Sequence, residues 1–96
     1  MVQFDDFRLA AICRRHGVTQ LRLFGSAARG EETAGSDIDL IADFSGPTGF
    51  FGLIRCEDEL AEFFERPVDL LTEGGLSPYM RDDVLAEARV IFNDAT

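Results

Sequence analysis

The sequence contains no lysine and no tryptophan, and has one histidine, one tyrosine and two cysteines. All nine cationic residues are therefore arginines, set against eighteen aspartates and glutamates for a net charge of −9. A surface that wraps a nucleic-acid backbone needs clustered lysine and arginine for its phosphate contacts, so this balance excludes a nucleic-acid polymer as a direct partner. It argues equally against an anionic membrane face. No apolar run approaches the roughly 20 residues of a membrane-spanning helix. The first residues carry Asp5 and Asp6 and lack the apolar stretch of a secretory signal. Cys13 and Cys56 make no CxxC pair, which excludes a zinc knuckle or a disulfide framework. Both read as small core residues, and a cytoplasmic location is the expectation. The lone histidine, His16, reads as a helix-end residue rather than a base.

What is present is a foldable chain. A length of 96 residues with 46% hydrophobic composition predicts one globular domain over 1–96. Nine phenylalanines predict a core built around Phe. Phe4, Phe7, Ala10 and Ala11 recur at helical spacing, predicting a helix from about Asp5 to His16 that stops at Gly17. Gln20 to Phe24 alternates as a strand, and Ser26 to Arg29 forms one helical turn ended by Gly30. Asp37 to Phe44 is a strand with Ile38, Leu40, Ala42 and Phe44 on one face and Asp37, Asp39, Ile41 and Asp43 on the other. Apolar positions Phe50, Leu53, Ile54, Leu60, Ala61 and Phe64 predict a helix over 50–64, with Glu57, Asp58, Glu59 and Glu62 solvated. Pro67 to Leu71 is a third strand. Ser77 as N-cap and Pro78 at N1 open a helix to about Ala88, and Arg89 to Phe92 closes as a short strand. This alternation of elements implies an α/β domain.

Two features carry chemistry. Asp37 and Asp39 lie two residues apart on a strand, so both carboxylates share one face and disfavour each other's ionisation. Asp69 occupies the polar face of its own strand. If the two strands are neighbours, three carboxylates converge, and hard oxygen donors of this kind suit Mg²⁺ or Mn²⁺. Upstream, Phe24-Gly25-Ser26 is a strand-to-turn junction. Gly25 permits close backbone approach, and Ser26 opens a helical turn whose free N–H groups suit a phosphate. Arg29 either contacts phosphate or a partner, or caps its own turn. Asp43 lies about 13 Å beyond Asp39 along the strand and reads as surface. Glu31 and Glu32 belong to a solvated loop.

The segment Leu23 to Leu40, LFGSAARGEETAGSDIDL, resembles the Gly-Ser…Asp-x-Asp signature of the DNA polymerase beta superfamily of nucleotidyltransferases. Its form is similar to that of the minimal nucleotidyltransferases, the antitoxin partners of HEPN-domain ribonucleases. The likeness continues through Arg66-Pro-Val-Asp-Leu-Leu and the closing helix around Leu76 to Asp82. It implies a nucleotidyltransferase fold of the α/β (α+β) kind, with a small mixed sheet of three to four strands flanked by about four helices. It further implies that Asp37, Asp39 and Asp69 are catalytic and hold two Mg²⁺ ions. Gly25 and Ser26 would bind the β- and γ-phosphates of ATP, with Arg29 and Ser36 also in the nucleotide site. The implied reaction moves AMP onto a hydroxyl, a tyrosine, of a basic, neighbour-encoded HEPN toxin. A binding module that neutralises such a partner by occlusion is the alternative. A small-molecule modifier would need an added substrate domain.

Overall fold

Asp5 opens the first helix through its side chain. In the computed structural model, which describes residues 4–31 and 37–94, its carboxylate accepts from Phe7 N at 2.9 Å and Arg8 N at 3.2 Å. Those are two of the orphan donors every helix start leaves. Helix α1 (Asp6–His16) ends at Gly17, whose φ of 76° is the left-handed stop the sequence anticipates. Strand β1 (Val18–Phe24) follows, then the short helix α2 (Gly25–Arg29) and strand β2 (Ile38–Phe44). Helix α3 (Phe50–Phe64) leads to β3 (Val68–Thr72) and a 3₁₀ turn over Glu73–Gly75. Helix α4 (Arg81–Glu87) and strand β4 (Arg89–Asn93) complete the order.

The four strands form one mixed sheet in the order β3-β2-β1-β4. β1 runs antiparallel to β2 and β4, whereas β2 and β3 are parallel. A parallel pair requires a crossover connection, and α3 is that crossover. The parallel edge strand β3 is partly shielded, because the Glu57 carboxylate on α3 accepts from Leu70 N at 2.9 Å.

Leu21 and Leu23 of β1, Ile38, Leu40 and Ala42 of β2, and Leu70 of β3 supply the apolar face. Leu9, Ile12 and Cys13 of α1 and Cys56 and Leu60 of α3 cover it. Burial pushes the Cys13 thiol up to about 12 and the Cys56 thiol up to about 11, so both stay protonated packing groups. His16 and Arg15 join α1 to α3 through Glu59, at 3.2 and 3.3 Å.

Four sequence expectations need correction. Of the nine phenylalanines only Phe92 is buried in the core, which is built from Leu, Ile and Val. Phe4, Phe63 and Phe64 instead stack edge-to-face at the rim, because the narrow space between helices and sheet is already filled by aliphatic side chains. Phe50, grouped by spacing with the buried stripe, is 73% exposed, since the first turn of α3 precedes Leu53, which does pack on the core. Glu57 and Glu59 are half-buried and bonded rather than solvated. The closing helix starts later than Pro78. Ser77 Oγ accepts from Tyr79 N, and its carbonyl accepts from both Met80 N and Arg81 N, so residues 78–80 form a turn ahead of α4, whose N-cap is Met80.

Helix α3 ends at Glu65, the one non-glycine residue at positive φ (56°) among the described residues. A left-handed conformation costs a side-chain-bearing residue about 1–2 kcal/mol. Glu65→Gly removes that cost and returns part of it as unfolded-chain entropy. The expected result is a gain of up to about 1 kcal/mol in denaturant unfolding. A loss would show that the Glu65 side chain stabilises the helix end.

Candidate active site

β1 delivers Phe24 directly opposite Asp39 of β2, and Asp39 is in register with Asp69 of β3. One rung across three strands therefore reads Phe24, Asp39, Asp69. Neighbouring strands lie about 4.8 Å apart, so two carboxylates on the same face of adjacent strands are within strong mutual influence. Asp37 stands two residues before Asp39, exposed at the entrance to β2. The three aspartates that the sequence singles out are thus brought to one end of one face.

Asp39 is half-buried and feels both neighbours. Its carboxyl is raised above the ordinary range, first by burial, then by Asp69, then by Asp37. The next rung along the same face is more apolar. Ile41 follows Asp39 by two residues and is 1% exposed, and Leu71 follows Asp69. Sequence alternation placed Ile41 on the polar face, and the structure shows it buried beside Asp39.

Gly25 meets the same carboxylate from the other side. Its φ is +67°, and a Cβ added there would lie 2.6 Å from Asp39 Oδ2. Glycine is thus required twice at this turn, by conformation and by the approach of Asp39. The turn that starts α2 and the acidic rung are one packed unit. Ser26 is the second residue of α2. Ser36 lies outside the described residues. Arg29, the last residue of α2, is held by Glu31 and Glu87 at 3.2 Å each. Asp43 lies at the far end of β2, 3.9 Å from Arg22, as a surface residue. His16 is bound to Glu59 and stands apart from the aspartates, as a helix-end residue.

The donor set fits a hard divalent cation: oxygen ligands only, one of them half-buried and destabilised by its like-charged neighbours. Among the described residues, no three acidic, histidine or cysteine side chains are gathered closely enough to hold a metal ion. Sequence reasoning missed the Phe24 rung position, the burial of Ile41, and the Glu87 partner of Arg29. Strand alternation carried a signal for Ile41, an apolar residue in a polar row. No local pattern signals Glu87, which is 58 residues from Arg29.

A glycine turn packed on paired strand carboxylates is an arrangement suited to handling phosphate. The chain belongs to the nucleotidyltransferase domain family, whose model matches residues 8–91. A "putative protein adenylyltransferase" of Methanocaldococcus jannaschii is 36% identical over 81 residues, covering 84% of this chain and 87% of that one. A crystal structure of a toxin–antitoxin pair with AMP-PNP superimposes with a TM-score of 0.78 at 18% identity, over 94% of this chain and 74% of that one. A structure of the tri-AMPylated Shewanella oneidensis HEPN toxin in complex with MNT antitoxin matches with a TM-score of 0.68 at 17% identity, over 92% and 69%. Both structural likenesses are of fold. No helix among the described residues is long and apolar enough to cross a membrane.

Two outcomes follow for stability without metal. Gly25→Ala should destabilise the fold by about 1–3 kcal/mol, the cost of a strained left-handed residue with a clash. Asp39→Asn should do the opposite at neutral pH. A carboxyl raised in the folded state binds its proton more tightly there than in the unfolded chain. Its contribution is complete below the unfolded value and is lost as pH rises through the folded one. Asp39→Asn removes that loss, so its melting temperature should equal or exceed that of the parent at pH 7, with a flatter dependence on pH above about 4. A lower melting temperature at pH 7 would show that Asp39 is structural.

Proposed function

We propose that this chain transfers AMP from ATP to a tyrosine hydroxyl of a HEPN-domain ribonuclease, in the cytoplasm, and acts as the antitoxin of that toxin. The observation that carries the reading is the rung itself: Asp39 packed on Gly25, in register with Asp69, with Asp37 beside it. The names of the adenylyltransferase relative and of the toxin–antitoxin structures support the acceptor class.

In this reading Asp37, Asp39 and Asp69 hold Mg²⁺, with Mn²⁺ as a substitute. The bound ions supply charge neutralisation of the triphosphate and a lowered pKa for the acceptor hydroxyl. Gly25 lets the backbone at the start of α2 approach the β- and γ-phosphates, and Ser26, with Ser36, completes that cradle. The acceptor oxygen attacks the α-phosphorus in line, the bond to the bridging β-oxygen breaks, and pyrophosphate leaves. Asp69, on the exposed side of the rung, takes the proton of the acceptor. A phenol with a pKa near 10 is a suitable acceptor. The net charge of −9 favours encounter with a basic partner. AMP added near a nuclease site would place charge and bulk where RNA must lie.

Incubation with ATP, Mg²⁺ and a HEPN-domain partner should add one or more AMP masses to that partner and abolish its RNA cleavage. Asp69→Asn should bind the partner as well as the parent does, yet leave its mass and its cleavage unchanged. If Asp69→Asn silences the nuclease as fully as the parent, occlusion is sufficient and transfer is not the means of neutralisation.

A further inference from the structure

Helix α4 is lightly anchored. None of its residues is buried, and it rests on α2 and β1. Its last turn carries Glu87, whose Oε2 accepts from Arg29 Nη1 at 3.2 Å. Glu31 Oε2 accepts from Arg29 Nε, also at 3.2 Å. One guanidinium thus carries two carboxylates, and both raise its affinity for its proton, Glu31 first. Arg29 also closes the short helix that Gly25 opens, within about one turn of the proposed phosphate site.

The geometry of these groups creates a conflict. A triphosphate is strongly anionic, and the one cation on α2 is already over-neutralised by two carboxylates. Glu31 takes the Nε donor of Arg29 and Glu87 an Nη1 donor, so two of its roughly five N–H groups and much of its charge are engaged before a phosphate oxygen arrives. Exposed ion pairs such as these are weak, whereas an arginine–phosphate contact is charge-assisted and can be bidentate. Exchange therefore favours the nucleotide, at the expense of the α2–α4 tie.

We propose that Glu87 is an affinity-determining residue for the nucleotide: it holds Arg29 in a resting ion pair that the triphosphate must displace, so nucleotide binding unties α4 from α2. This rests on the reading of α2 as part of the nucleotide site. Glu31 is a local competitor on the same loop. Glu87 is different in kind, since it reaches Arg29 from the other end of the chain and makes the tie tertiary.

The test is a double-mutant cycle read by calorimetric titration with AMP-PNP and Mg²⁺. Glu87→Gln should tighten binding by about threefold, the scale of one exposed ion pair. Arg29→Ala should weaken it, and adding Glu87→Gln to Arg29→Ala should change nothing more. If the tightening persists without Arg29, it reflects the local field of one fewer negative charge, and the exchange is overturned. Unchanged or weaker binding in Glu87→Gln alone also overturns it. Asp83→Asn, the same charge removed elsewhere on α4, should leave binding at the parent value, and equal tightening there counts against a specific tie. Absence of AMP-PNP binding by the parent protein would instead overturn the nucleotide site itself.

Discussion

The contact between Gly25 and the Asp39 carboxylate is the constraint on which the rest depends. A carboxylate half-buried beside two others is costly. It is held there because β1 and β2 are antiparallel neighbours, with Phe24 opposite Asp39, and the chain then turns at a residue with no side chain to collide. Any rearrangement that relieved Asp39 would have to move either the turn or the register of two central strands. Register is strongly pinned, because a one-residue slip would send Leu21, Leu23, Ile38 and Leu40 to the wrong face.

The two faces of the sheet divide the labour. The α1–α3 face buries aliphatic side chains and supplies the free energy of folding. The opposite face gathers like charges, which oppose folding. A site of this kind is affordable only because the apolar face is complete without it. The parallel pairing of β2 with β3 is the structural device that places the third acid, and α3 is the crossover that permits it.

The acidic excess is not uniform solvation. Glu57 closes an edge-strand donor, Glu59 ties His16 and Arg15 across two helices, and Glu73 and Glu87 pair with Arg81 and Arg29. With nine arginines and no lysine, each cation has a planar, multi-donor head able to take more than one carboxylate. Arg29 between Glu31 and Glu87 is the clearest instance.

Much was legible in the sequence because it depends on short-range periodicity. The alternation of β2, the span of α3 and the placing of Asp37 and Asp39 on one face follow from spacings of two or of about 3.6 residues, and the stop at Gly17 from the residue that turns left-handed most readily. Capping chemistry misplaced the start of α4, where Ser77 served a turn rather than the helix. Composition misled on the core, since nine phenylalanines say nothing about how much room lies between helix and sheet. Which strands are neighbours is a long-range choice that no local pattern encodes. Only the tertiary structure put Asp69 in register with Asp39, set Gly25 against its carboxylate, buried Ile41 and brought Glu87 to Arg29. Each of these joins residues far apart in the chain, and their energies depend on distance and burial, quantities that exist only once the sheet is formed.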